Sequence, residues 1–499
     1  MLLLQLAVAS LAAFSPEVAQ AATLVVDRFD DPDPAIASAC TAAANDCSLR
    51  GAVINANATP DADIIQLQTG TYTLTRARAA DGEADASLGD LDLIQPVTLI
   101  GVAGTIIDAQ AVNDRGIEVV GSGAFSITNL EVRGGQALEF PSYNNGGGIN
   151  NANANATLTL TGVTLRGNRG GNGGGLHSSG PAVVTGCLIT ENSSNGIDGH
   201  GSFTITNSTI TKNKSGGITP HGSGQISRST IANNEADGFH AKYAESWTIT
   251  ECTISGNTED GIDWRDDEGD TLTIVNSTIS DNGGTGLLTA SAAAVSLANT
   301  TIVRNQRGVL SGQSESVPSV INYRNSLIAA NDTDCAITVG VLTSQGFNLD
   351  SDGTCAQQAT DSTAADPKVG PLANNGGPTD TVALLPGSPA INTGNDAVAP
   401  AKDQRGAARI GVSDIGAFEF NGVIPFVRIT AITRSAGGEV MLQGLAVPNQ
   451  RHTIQSSSTP DAASFADLGS AMANSSGIWQ FSDTAATGLT TRFYRATFP

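Results

Sequence analysis

Short apolar–polar alternations recur along the middle of the chain, and none is long enough to make a helix. Aligned on the tetrapeptide at Asn207, the repeat reads GVTL from 162, GCLI from 186, NSTI from 207, RSTI from 228, ECTI from 251, NSTI from 276, NTTI from 299 and NSLI from 325. Three residues beyond each last apolar position stands an asparagine: Asn168, Asn192, Asn213, Asn234, Asn257, Asn282, Asn305 and Asn331. A glycine–apolar pair follows, from Gly175-Leu176 through Gly196-Ile197 and Gly217-Ile218 to Gly308-Val309. A period of 21 to 26 residues is the mark of a solenoid, in which each unit buries its apolar face only against its neighbours.

Within FTITNSTI, Ile205 and Ile210 are five residues apart, so strict alternation cannot turn both inward. A bend near Thr206 and Asn207 resolves this: Ile205 points inward from one short strand, Ser208 and Ile210 from the next. Stacked units then form apolar columns, one of Val184, Ile205, Ile226, Ile249 and Ile274, another of Ile189, Ile210, Ile231, Ile254 and Ile279. The asparagines fit a turn ladder whose amides bond to the rungs above and below. Cys187 and Cys252 share the small inward column with Ser208, Ser229 and Ser277. At about 4.8 Å per rung they lie roughly 14 Å apart, beyond disulfide reach, and are expected as buried free thiols. Cys40/Cys47 and Cys335/Cys355 each bracket a short loop and are the expected disulfides.

Composition narrows the partners. Glycine is abundant (57 of 499 residues), aromatics are only 4%, and the formal net charge is −23, which argues against nucleic acid or an anionic membrane as partner. Residues 1–21 read as a secretion signal with the small-residue pattern Ala19-Gln20-Ala21, although a basic start is missing. No later apolar run is long enough to span a bilayer. The expected setting is secreted or cell-surface, with a polysaccharide or surface glycan as partner of a monomer.

The ladder over 76–334 resembles the right-handed parallel β-helix of the pectate-lyase-like superfamily. The segment DCSLRGAVINANATPDADIIQLQTGTYTLT resembles the N-terminal module named for its Cys-Ser-Leu-Arg-Glu-Ala motif, with Gly51 in place of the glutamate. That resemblance implies, for 22–75, a helix covering the open end of the solenoid. NNGGPTDTVALLPGSPAINTG, DQRG and DIGAFEF resemble the choice-of-anchor Q domain of bacterial surface proteins over 335–421. Residues 422–499 alternate as short strands and resemble C-terminal β-sandwich modules of secreted bacterial proteins. The expected fold is therefore all-β: a right-handed parallel β-helix with an N-terminal helical cap and a small C-terminal antiparallel β-sandwich.

The chain has five histidines, and four fall at two phases of the repeat. The first position after each glycine–apolar pair reads His177, Asp198, Thr219, His240, Asp263, Leu288. The third reads Ser179, His200, His221, Lys242, Arg265, Ala290. Both positions face away from the core of a strand. Trp264, between them, has small column neighbours; either the strand ends there or the indole faces a cleft and stacks on sugar. The Lys242 and Arg265 units carry longer loops, which suits a cleft wall.

Two carboxyl groups for glycoside hydrolysis must lie within about 5 to 9.5 Å, whereas Asp198 and Asp263 are three rungs apart; Asp263 with the loop acid Asp266 is the alternative pair. Removal of the proton beside a uronate carboxylate needs instead a base, a cation and an acid. His200, His221, Lys242 and Arg265 supply the first two, and Tyr243 or a histidine the third. GIDGH resembles the Gly-Phe-Asp-Pro-His segment of mannuronan epimerases, which places Asp198 and His200 on its Asp and His; Asn195 stands where that family has tyrosine. A lysine one rung before an arginine, here Lys242 and Arg265, resembles alginate and chondroitin lyases of this fold. His177, His240, Asp263 and Trp264 are then expected to bind substrate. The acidic run EDGIDWRDDEGD offers oxygen donors to calcium, and no residue is assigned as a metal ligand. The expected function is a uronate lyase or epimerase; the alternative is a non-catalytic adhesin or structural rod.

Overall fold

One coil shows how the sequence dictates the architecture. Strands Ile197–Gly199, Phe203–Thr206 and Thr209–Thr211 follow one another, and Ile218–Pro220 opens the next coil. Only Asn207 and Ser208 separate the second strand from the third, and Asn207 makes the corner with φ 51°. Gly186, Arg228, Glu251, Asn276, Asn299 and Asn325 hold positive φ at the same corner. That left-handed conformation costs a residue with a Cβ about 1–2 kcal/mol, least for asparagine, so asparagine dominates the position. The bend turns both Ile205 and Ile210 into the core, where each is fully buried.

The computed structural model describes residues 21–78, 85–137, 144–241, 244–265, 270–290, 292–312, 318–355, 358–420, 427–446, 451–461, 464–474 and 477–497. The proposed signal segment lies outside them, apart from Ala21. Among the described residues, first strands of successive coils build a parallel sheet of 11, from Leu91–Leu93 to Thr333–Ile337. Second strands build a sheet of 13, from Thr23–Val25 to Gly340–Ser344, and third strands another 13, from Gly70–Thr73 to Ser362–Thr363. The coil thus runs past 334, the boundary expected from the sequence, because short strands keep pairing after the repeat motif fades. Val184, Ile205, Ile226, Ile249 and Ile274 are successive lateral partners, as are Ile189, Ile210, Ile231, Ile254 and Ile279.

The asparagines form the expected ladder. From Asn168 to Asn305 each Nδ2 donates to the next rung's Oδ1, for example Asn192 to Asn213 at 3.0 Å and Asn213 to Asn234 at 2.9 Å, and Asn331 donates to Asp334. Each Oδ1 also accepts a backbone N–H from the rung before, so these buried amides are satisfied.

The helix Leu49–Asn57 closes the N-terminal end, with Leu49, Ala52, Val53 and Ala56 buried in the same core as the coils. Ser48 caps it by accepting from Gly51 N–H at 3.0 Å. A Cβ at Gly51 would lie 1.9 Å from the Ala37 carbonyl oxygen, so no side chain fits where the resembling motif has glutamate. Arg50, fully buried, forks onto Asp31 at 2.8 and 3.1 Å and donates to the carbonyls of Gly89 and Asp90.

Residues 364–420 lie as a strap along the corner between the second and third sheets. Gln404 of DQRG donates to the Cys252 carbonyl at 3.0 Å and accepts from Thr278 Oγ1 at 2.6 Å. Asn276 donates to the Lys402 carbonyl at 2.7 Å, and Ala417 N–H of DIGAFEF to Thr301 Oγ1 at 2.9 Å. Asn325 and Asn395 exchange two hydrogen bonds. Arg405 pairs with Asp403 and lies 3.5 Å over the Phe418 ring. The C-terminal module comprises two antiparallel three-stranded sheets around Leu442, Ile454 and Trp479, and buries the fifth histidine, His452.

Cys40–Cys47 and Cys335–Cys355 are bonded, and Cys187 and Cys252 are free and buried. Burial pushes the Cys187 thiol up to about 11 and Cys252 to about 12. A thiol reagent should therefore find no reactive cysteine in the native protein and two after denaturation; a native-state signal would contradict the inward column. Gln404→Leu takes the acceptor from the buried Thr278 hydroxyl and the bridge between Cys252, Thr253 and Thr379, and should lower stability by about 1–3 kcal/mol in urea unfolding.

Candidate functional site

The outward positions of the first sheet form one continuous polar column. Lateral pairing runs Asp92, Glu118, Asn150, His177, Asp198, Thr219, and, one coil further, His240, Asp263, Leu288 and Leu310. The histidine phases expected from the sequence occupy its middle. The run Asp92–Glu118–Asn150 escaped the sequence reading, which counted glycine–apolar pairs only from Gly175-Leu176 onward, although Gly116-Ile117 and Gly148-Ile149 precede Glu118 and Asn150. Polar residues at the first position of short apolar strands were the available signal.

His177 and Asp198 are buried rather than solvated. Asn145 Nδ2 donates to His177 Nε2 at 3.3 Å, which leaves Nδ1 to donate to Asp198 Oδ1 at 3.1 Å. Both ring nitrogens are engaged, so His177 serves to position Asp198. His200 is exposed and His221 half-buried, and their rings stack with centroids 4.5 Å apart. Burial, opposed by the nearby Asp198 charge and assisted by His200, holds His221 below the usual imidazole range. The neutral form, which can accept a proton, therefore dominates at neutral pH.

One coil on, the charge pattern inverts. His240 Nδ1 lies 3.0 Å from both Asp237 Oδ2 and Asp263 Oδ2. Hydrogen bonding to Asp237 and then Asp263 pushes the imidazole up to about 9, so it is a cation at neutral pH. Arg265 Nε donates to Asp263 Oδ1 at 2.7 Å while its side chain remains exposed. Asp237, His240 and Asp263 also offer ligand atoms within 4.8 Å of one another, a cluster able to hold a metal ion. Next to it Asp260 is pushed up to about 6, chiefly by burial.

Trp264 corrects one expectation. It is fully buried, stacked on Phe239 at 6.3 Å between centroids, and cannot stack on a sugar outside the coil. Its lateral partners Ala241 and Thr289 are small and leave the volume it fills. Lys242, Tyr243 and the loop acid Asp266 lie outside the described residues. An open groove of about 380 Å³ lined by Arg133, Arg166 and Arg169 opens on the third sheet instead, with Arg133 paired to Asp108 and Arg166 to Glu131.

Residues 196–355 match the family described as right handed beta helix region. The expected hand of the coil follows from that match. No curated protein matches the chain. Among solved structures, the A-module of a mannuronan C-5 epimerase from Azotobacter vinelandii is similar at 16% identity and TM-score 0.41, covering 62% of this chain and 96% of the module. A periplasmic alginate epimerase is similar at 11% identity and TM-score 0.35, covering 61% of this chain and 69% of its own. The enzymatically active domain of bacteriophage CBA120 tailspike protein 2 is similar at 12% identity and TM-score 0.35, covering 95% of this chain and 73% of its own. None of these likenesses assigns a role to a residue of this chain.

The raised His240 value has a signed consequence for stability. An unfolded histidine titrates near 6.5, so the His240 contribution is complete below about pH 6.5 and fades as pH rises through about 9. The stability margin of the native chain over His240→Gln, read by chemical denaturation, should shrink across that window. A margin that is flat in pH would show the imidazole to be uncharged.

Proposed function

We propose that the protein is a secreted polysaccharide-active enzyme that removes the proton beside the carboxylate of a uronate residue, as a lyase or an epimerase. The observation that carries this reading is the contrast of imidazoles one coil apart: a stacked, accessible pair with His221 neutral, beside a His240 that is charged. A base and a cation are what this reaction needs from the protein.

His221 accepts the proton, and His200, stacked on it, stands on the solvent side. His240 and Arg265 stabilise the charge that develops on the substrate carboxylate, with Asp237 and Asp263 holding both cations in place. Lys242 adds a third cation and Tyr243 a proton donor to the leaving oxygen. In a lyase the electron pair left by the proton forms a carbon–carbon double bond as the glycosidic oxygen departs. In an epimerase the proton returns to the opposite face and the chain stays whole.

The alternative, an adhesin or structural rod without catalysis, is favoured by one observation: Asp237 and Asp263 already neutralise His240 and Arg265. Incubation with alginate, pectate and chondroitin, with and without calcium, distinguishes the two. Ultraviolet-absorbing unsaturated ends mark a lyase, and altered uronate composition without cleavage marks an epimerase. His221→Ala, Lys242→Ala and Arg265→Ala should each lower kcat/KM by about 10²–10⁴ with the fold intact. The profile of kcat/KM should rise through a pKa below the ordinary histidine value and fall near 9, where His240 discharges. No change in any uronate polymer, with glycan binding indifferent to these substitutions, would establish the rod.

A further inference from the structure

The N-terminal end of the polar column carries a group of acids that the chemistry above does not use. Asp90 and Asp92 are two residues apart across the strand Leu91–Leu93, and Glu118 is the lateral partner of Asp92 on the next coil. One carboxylate oxygen from each lies within 4.8 Å of those of the other two. Two oxygens on one calcium ion, at about 2.3–2.6 Å each, are separated by no more than about 5 Å. The three oxygens are therefore close enough to share one ion.

Buried oxygens there lack hydrogen-bond partners. Among the described residues, Asp90 Oδ2, Asp92 Oδ1 and Asn150 Oδ1 accept no hydrogen bond, although all three side chains are more than nine-tenths buried. Asn150 is the lateral partner of Glu118 and donates Nδ2 to Glu118 Oε1 at 2.6 Å, leaving its own Oδ1 unengaged. An orphaned buried oxygen is costly, and those of Asp92 and Asn150, with Asp90 Oδ2 held only by an ion pair to Arg115 at 3.6 Å, call for an explanation.

Charge balance points the same way. Arg115 Nη1 is shared among Glu118, Asp114 and Asp90 at 3.4, 3.5 and 3.6 Å, and Arg78 reaches Asp114 at 3.4 Å. Among the described residues, four carboxyl groups face two guanidinium groups, an excess of acid that a divalent cation would offset. The backbone is held from both sides: Arg50 donates to the Gly89 and Asp90 carbonyls, and Asn57 to the Asp92 carbonyl at 2.7 Å. Gly89, at φ 61°, admits Asp114 Oδ2 to 2.5 Å from where a Cβ would stand.

We propose that Asp90, Asp92, Glu118 and Asn150 form a divalent-cation site fitted to calcium. The donors are all oxygen, which disfavours zinc and copper, and a set built mainly from protein groups suits calcium better than magnesium, which keeps several waters. The site is separate from Asp237, His240 and Asp263, four to seven rungs away along the same column, and does not depend on the proposed enzymatic activity.

The test uses the full chain stripped with a chelator and titrated with calcium chloride by calorimetry, with thermal unfolding in parallel. One calcium should bind here and raise Tm, with a smaller rise for magnesium at equal concentration. Glu118→Gln should weaken binding at least about tenfold, and Asp92→Asn should abolish it. In chelator both variants should melt no lower than the native chain, because each removes a like charge. That reading separates lost binding from lost folding, and Glu118, the most accessible member, keeps the test open if Asp92→Asn misfolds. Absence of calcium heat and of any Tm shift would overturn the proposal. So would a wild-type response in Glu118→Gln together with its loss in Asp263→Asn, which would place the ion at the other cluster.

Discussion

The lateral hydrogen bond between one coil and the next fixes everything else in this molecule. It sets a single spacing at which every side chain meets its counterpart, so whatever occupies one position of the repeat must tolerate a near copy of itself above and below. Isoleucine satisfies this in the core by packing. Asparagine satisfies it at the turn because its amide is both donor and acceptor, and Asn192, Asn213 and Asn234 hand one bond along the axis. Charge does not stack so easily. On the outer face the acids Asp92 and Glu118 meet beside Arg115, and where His200 and His221 stack, burial favours the neutral form of His221.

The same rule explains which features were legible in the sequence. The inward columns could be read directly, because period and polarity together determine register, and Ile205 and Ile210 are buried as the bend at Asn207 requires. The outer column was read only from Gly175-Leu176 onward, hence His177 to Asp263; the same glycine–apolar pair precedes Glu118 and Asn150, as Gly116-Ile117 and Gly148-Ile149, whereas Asp92 follows Asp90-Leu91. Trp264 was misplaced for a different reason. Its column neighbours suggested overpacking, yet small Ala241 and Thr289 supply the room, and volume summed over neighbouring rungs is invisible to a positional count. Nor could composition show that His177 spends both nitrogens on Asn145 and Asp198.

The polar column also shows how a strongly acidic chain prepares local cations. His240 is held charged by two carboxylates, and Arg265 is oriented by one of them, so the acids around them act as supports for positive groups. At the far end, Arg115 is shared by three carboxylates and is outnumbered. One part of the sheet face thus pairs its charges and the other is left with excess acid, on the same lateral pairing.

The strap of residues 364–420 works as a ruler. Gln404 touches the rungs of Cys252 and Thr278, Ala417 that of Thr301, and Asn395 that of Asn325, so it measures four successive coils. Adding or deleting a coil between Cys252 and Asn325 would put those contacts out of step by a whole rung. The coils from Leu176 to Ala241 have no such gauge among the strap's hydrogen bonds between described residues. A duplication or loss there would leave the lateral ladder whole and simply change which charge meets which. The histidine-bearing face is thus the part of the molecule free to change in units of whole coils, and the strapped part holds its count.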